Sequence, residues 1–178
     1  MSIKYLLILS GFQFLLSLPL RAQDNTVVTN TPSLYRPIEL EGPRLGVSFL
    51  SDRLFDYIQK DRDIDIKSVI SQFGWQFEKR FFALESGTTA LTEWILLVGG
   101  VDQGLFIPSV SWIIGLRSGN GFELGVGPNL SISGSSLVYA AGITIQSEEI
   151  NFPVNFAIAP SEHGTRYTIL VGFNVRKR

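Results

Sequence analysis

From Arg44 to the end of the chain, apolar and polar residues alternate with a period of two. Phe122, Leu124, Val126, Leu130 and Ile132 fall on one face of a run whose other face is Glu123, Gly125, Gly127, Asn129 and Ser131. Further on, Ile150, Phe152, Val154, Phe156 and Ile158 alternate with Asn151, Pro153, Asn155, Ala157 and Ala159. Tyr167, Ile169, Val171, Phe173 and Val175 are then set against Thr168, Leu170, Gly172, Asn174 and Arg176. Successive side chains of a strand point to opposite faces, so this pattern predicts β-structure. Eight such runs lie near residues 44–51, 70–84, 89–100, 105–117, 122–132, 137–147, 149–159 and 166–176. The breaks between them are turn-formers: Glu85-Ser86-Gly87, Asp102-Gln103-Gly104, Gly119-Asn120-Gly121, Ser133-Gly134-Ser135-Ser136 and Pro160 to Thr165. Links this short predict antiparallel nearest neighbours, an up-and-down meander closing first strand to last. Pro108, Pro128 and Pro153 fall inside the runs, where a missing N–H is expected to mark a bulge or a strand end.

One connection is long. Between Ser51 and Val69 the chain carries Asp52, Arg53, Asp56, Lys60, Asp61, Arg62, Asp63, Asp65 and Lys67, with Leu54, Phe55 and Ile58 at helical spacing. This predicts a short amphipathic helix over about Asp52 to Lys60, packed on the barrel rim. The 52–69 connection is also where another envelope protein would make contact.

Charge decides what the faces meet. Charged residues are 17% of the chain, against roughly 25% in ordinary domains. From Trp94 to Gln146, 53 residues, the only charges are Asp102, Arg117 and Glu123, and the less apolar face is Ser, Gly, Asn and Thr. A face turned to water carries Lys and Glu; a face turned into a narrow lumen carries small and polar residues. Runs of 9–11 residues also match a tilted transmembrane strand. The fold class expected is therefore all-β, an eight-stranded antiparallel barrel of the transmembrane type, in contact with outer-membrane lipid. Trp75, Trp94, Trp112, Tyr139 and Tyr167 could supply its interfacial girdles.

The first segment reads as an address. Lys4 precedes an uncharged, largely apolar run from Tyr5 to Leu20, and Ala22 offers a small residue at the cut. Residues 1–22 are expected to be a signal peptide and 23–43 a polar lead-in. Residues 44–178 form a single barrel domain.

Phase places four charges inside. Arg117 shares the face of Ser109, Ser111 and Gly115, and Glu123 that of Gly125, Gly127 and Asn129. Both faces coincide only if paired residues have an even index sum. A three-residue loop, Gly119-Asn120-Gly121, meets this condition and sets Arg117 directly across from Glu123. Glu78 and Arg80, on the face of Gly74 and Gln76, complete a balanced lumen cluster of Glu78, Arg80, Arg117 and Glu123. The alternative puts these charges at the rims in water.

Other chemistry is sparse. The chain has no cysteine and one histidine, so neither a thiolate metal site nor a cysteine nucleophile is available. His163 lies in Ser161-Glu162-His163-Gly164-Thr165, residue types that could serve a lipid hydrolase but that seldom converge within one loop. Asp61, Asp63 and Asp65 begin like a calcium loop, but Lys67 and Val69 follow where ligands are needed. Gly125-x-Gly127 lies inside a strand with no helix after it, so it is no phosphate loop. The Arg176-Lys177-Arg178 tail is too short a basic patch for nucleic acid. No catalytic residue, cofactor or metal is expected.

The whole barrel region resembles the small eight-stranded outer-membrane barrels of Gram-negative bacteria. Gly42-Pro43-Arg44-Leu45-Gly46-Val47, Ser71-Gln72-Phe73-Gly74-Trp75-Gln76-Phe77-Glu78 and Gly121-Phe122-Glu123-Leu124-Gly125-Val126-Gly127-Pro128-Asn129 resemble a group of exported Bacteroidota proteins to which no activity is attached. The resemblance implies an outer-membrane location and a structural or interaction role. Two alternatives stand beside it: a lipid-modifying enzyme of the same membrane, and a soluble periplasmic barrel binding a small apolar ligand. N-terminal sequencing of the mature chain is expected to start at Gln23; an intact Met1 would refute export by cleavage.

Overall fold

The computed structural model describes residues 38–84, 86–146 and 150–176. The expected signal peptide and residues 23–37 of the lead-in lie outside these. The strands are β1 (Ile38–Leu50), β2 (Val69–Ala83), β3 (Thr89–Gly99), β4 (Ile107–Arg117), β5 (Phe122–Ser131), β6 (Gly134–Gln146), β7 (Ile150–Ser161), β8 (Gly164–Gly172) and β9 (Asn174–Arg176). One helix, α1 (Asp52–Lys60), follows β1. Each strand from β1 to β8 pairs antiparallel with the next, and β1 also pairs with β8 and β9, so the sheet closes on itself. β9 keeps the register of β8 against β1, and the two are one eighth strand interrupted at Phe173. The fold is a closed eight-stranded antiparallel meander.

Alternation assigns the faces. In β4 the residues Ile107, Ser109, Ser111, Ile113, Gly115 and Arg117 are buried, while Pro108, Val110, Trp112, Ile114 and Leu116 are exposed. The outward residues of the other strands continue this belt. Leu130, Ile145 and Leu116 are 64%, 62% and 58% exposed, values that water would penalise across so wide a surface. Hydrocarbon does not, and a closed barrel leaves no unpaired edge within it. The geometry is that of a transmembrane barrel. A soluble barrel holding an apolar ligand would need these residues turned inward; they face out. Trp94 and Trp112, paired across β3 and β4, stack on the outer wall at 6.0 Å between ring centroids.

Three expectations need correction. The first strand begins at Ile38, not Arg44: Ile38 to Pro43 pair with Arg80 to Trp75, and Leu40 is buried inside. Pro43, the last residue of the expected lead-in, turns its missing N–H toward Phe173, where the eighth strand is broken and offers no ladder partner. Secondly, β6 begins at Gly134, because Ser131 and Gly134 pair around only two loop residues. Thirdly, Pro128 and Pro153 mark neither bulges nor strand ends. Each interrupts one ladder while the other continues: Pro128 pairs with Leu137 but leaves Trp112 unpaired, and Pro153 pairs with Thr144 but has no partner across from it in β8. Pro108, second residue of β4, does sit at a strand end.

The bore is filled rather than open. Ile95, Leu97, Ile113, Val138, Ala159 and Leu170 form an apolar layer inside it, although the pattern predicts a small and polar filling. β3 accounts for much of this layer, being apolar on both faces. At one mouth Leu54 and Ile58 of α1, each 1% exposed, pack against Leu50, Ile66, Ile70 and Ile107. As expected, α1 sits on the rim, and here it closes the mouth. Ser51 locks it there: its N–H donates to the Thr165 carbonyl and its Oγ accepts from the Thr165 N–H, both at 2.9 Å. Tyr57 stacks on His163 at 3.6 Å. Among the described residues no helix is long and apolar enough to cross a membrane; the strands cross it.

At Gly127 two neighbouring strands run very close: a Cβ there would meet the Trp112 carbonyl oxygen at 1.8 Å. Neither group can retreat, since both are backbone. Gly127→Ala is expected to cost about 1–3 kcal/mol through overpacking, read as a lower urea midpoint for the folded, fast-migrating band in unheated gels. A wild-type midpoint would refute the close approach.

Candidate functional site: the polar layers of the bore

Inward positions near the chain-terminal end of the barrel bring together Arg44 from β1, Gln76, Glu78 and Arg80 from β2, and Glu93 from β3. Arg117, Glu123, Thr144 and Asn174 reach the same layer from β4, β5, β6 and β9. Glu78 is the hub. Its carboxylate accepts from both terminal nitrogens of Arg117, with Nη2 to Oε2 at 2.7 Å, from Arg80 Nε at 2.9 Å, and from Asn174 Nδ2 at 3.3 Å. The side chain of Glu78 is fully covered and that of Arg117 is 2% exposed. Arg117 Nε also donates to Glu123 Oε1 at 2.6 Å, and the Thr144 hydroxyl donates to the same oxygen.

The structure places the four sequence-predicted residues in one network: Arg117 bridges Glu78 and Glu123, and Arg80 adjoins Glu78. The cause is the register. Arg117 pairs with Glu123, index sum even, around a loop in which Gly121 has φ 89° and Ser118 N–H donates to Phe122 O at 2.8 Å. Arg80, whose side chain is 14% exposed, lies closest to solvent, and its Nη2 has no acceptor among the described residues.

Sequence reasoning missed Arg44 and Glu93. Arg44 is fully buried and hydrogen-bonds Gln76 Oε1 at 2.9 Å and Asn174 Oδ1 at 2.6 Å. Its Nη1 donates to the carbonyls of Pro43 and Phe173, which face the break between β8 and β9. The guanidinium thus satisfies backbone that the ladder cannot. Glu93 accepts from Gln76 Nε2 at 2.6 Å, so Gln76 links it to Arg44. With these two, the layer holds three arginines and three glutamates. The missing signal was phase: Glu93 shares its face with Leu91, Ile95 and Leu97, so that face read as apolar.

A second polar layer lies between the apolar layer and the α1 cap. Ser48 and Thr168 hydroxyls meet at 2.7 Å, and Gln72 Nε2 donates to Ser48 Oγ at 3.0 Å. Asn129 Nδ2 donates to Ser109 Oγ and Ser111 Oγ, both at 2.8 Å, while its Oδ1 accepts from Arg166 Nη2 at 2.8 Å.

The Ser161, Glu162, His163 set does not form a nucleophile and base. Ser161 Oγ donates to Gly164 O at 2.8 Å, and the His163 ring is stacked against Tyr57. Asp61 closes the end of α1, its N–H donating to Tyr57 O at 2.9 Å. Asp102, in the loop between β3 and β4, is outside the belt; the Ser71 hydroxyl beside it holds its carboxyl below the usual value.

No family model matches the chain, and no curated protein matches it. Solved structures of Ail, the attachment invasion locus protein of Yersinia pestis, are similar to it in course. The one in complex with the heparin analogue sucrose octasulfate is 11% identical, with 79% of this chain and 97% of that chain covered and a TM-score of 0.46. The one in a phospholipid bilayer nanodisc is 13% identical, with 80% and 100% covered and a TM-score of 0.47.

Removing Glu78 strands Arg80 and leaves Arg117 with Glu123 alone. Glu78→Ala is expected to destabilise by about 3–5 kcal/mol, measured by urea unfolding in detergent or lipid. Glu123→Ala, which leaves Arg117 paired with Glu78, should cost less. Equal losses would refute Glu78 as the hub.

Proposed function

We propose that this protein is an outer-membrane β-barrel with a structural or interaction role and no catalytic centre. One observation carries the reading: a closed barrel with an apolar outer belt and a bore filled by its own side chains. The belt needs lipid; the filled bore leaves no path for general diffusion. The sequence-predicted leader supplies the export that the location requires. On its motifs, the chain groups with the exported Bacteroidota barrels it resembles.

Both ends of the described barrel bear on orientation. β1 begins and β9 ends at the mouth with the charged layer, and α1 closes the other. With the chain ends in the periplasm, the 52–69 connection stands outside the cell. It is held to the loop between β3 and β4, where Lys67 N–H donates to Gln103 Oε1 at 2.8 Å and Gln103 Nε2 donates to Val69 O at 2.9 Å. Arg62 lies over the Tyr57 ring at 5.6 Å, and Asp56 pairs with Lys60 at 3.3 Å. A charged, braced surface of this kind suits contact with another envelope protein and offers no chamber for a substrate.

Carbonate extraction of membranes tests the location: the protein should stay in the pellet, and unheated samples should migrate faster than boiled ones in gels. Recovery in the wash would overturn it. Protease added to whole cells should cut first between Asp61 and Ser68; cleavage confined to permeabilised cells would reverse the orientation.

A further inference from the structure

Beside the apolar layer, within the second polar layer, lies a chamber of about 40 Å³, room for a few waters. Its polar lining is Ser48, Gln72, Ser109, Ser111, Arg166 and Thr168. The rest of its lining is the apolar layer together with Ala157. Arg166 faces this chamber with a single side-chain partner. No ion pair within 4.0 Å involves it among the described residues; its partner is the neutral amide of Asn129. A half-buried guanidinium paired only with a neutral amide favours a counter-charge beside it.

The protons in this layer can be counted. Asn129 Nδ2 can only donate, so Ser109 Oγ and Ser111 Oγ accept from it. Neither hydroxyl has an acceptor among the described residues, so both O–H groups are free. Ser48 Oγ accepts from Gln72 and can pass its own proton to Thr168, which frees the Thr168 O–H. The chamber is therefore lined by three uncommitted hydroxyl donors and a cation. Its one unpaired buried acceptor is Gln72 Oε1.

We propose that this chamber binds a small monovalent anion of the halide class, held by Arg166 and the hydroxyls of Ser109, Ser111 and Thr168. A water beside the ion donates to Gln72 Oε1. A cation would face four donors. The ion occupies the position a carboxylate takes in the other polar layer, balancing Arg166 as Glu78 balances Arg117.

The test uses the full mature chain folded in detergent, with sodium chloride replaced by sodium gluconate at constant ionic strength. The thermal midpoint should rise saturably with chloride, by about 3 °C at a tenfold excess over its dissociation constant, and bromide soaked into crystals should give an anomalous peak beside Arg166. Arg166→Gln should abolish both. If that variant does not fold, Ser111→Ala should fold and shift the chloride midpoint to higher concentration. Equal thermal midpoints in chloride and gluconate with no bromide peak would overturn the proposal. So would a chloride effect unchanged in Arg166→Gln or Ser111→Ala.

Discussion

Closing eight strands brings every inward side chain within reach of the opposite wall, and lipid outside removes any other place for a charge to go. In the layer near the chain ends this constraint resolves onto the Glu78 carboxylate. It receives donors from β2 itself, from β4 and from β9, so one group ties neighbours and opposite walls together. Arg117 carries the connection on to β5 through Glu123, and the Thr144 hydroxyl adds β6. Arg44 brings in β1 and reaches Glu93 on β3 through Gln76. Removing a single partner would leave a buried charge, whereas in the complete set each glutamate accepts from at least one partner within the bore.

The same constraint explains the backbone irregularities. Two prolines flank the break at Phe173: the register sets Pro43 opposite Phe173 and Pro153 opposite Gly172. Neither can donate across the gap. The carbonyls of Pro43 and Phe173 are instead met by Arg44 Nη1, so the seam where the barrel closes depends on the charged layer. At the other mouth the solution is apolar. α1 lays Leu54 and Ile58 over the opening, and Gly164 admits the helix, since a Cβ there would lie 2.6 Å from Leu54 N. Ionic below and apolar above, the two ends are closed by different means, and the small hydroxyl chamber lies between the cap and the apolar layer.

Function follows from where surface is left. The belt is committed to lipid and the bore to itself. On the proposed reading a partner would meet the braced surface formed by α1, its return to β2, and the loop between β3 and β4. Its hydrogen bonds to the barrel fix its shape in advance, which lowers the ordering cost of binding.

Much of this was legible in the sequence because strand periodicity is local. Alternation alone separates Trp112 from Ser111, and a parity argument across one three-residue loop suffices to set Arg117 against Glu123. Charge scarcity then decides which face meets lipid. Other features depend on neighbours remote in the chain. Glu93 shares a face with Leu91, Ile95 and Leu97, and only closure reveals that Gln76 and Arg44 await it. Pro43 falls in the expected lead-in, and only the break at Phe173, 130 residues away, shows why a strand can run through it without a donor. The apolar layer inside the bore is likewise invisible to any single strand, since Ile95, Val138 and Leu170 become one layer only when β3, β6 and β8 converge on the same axis.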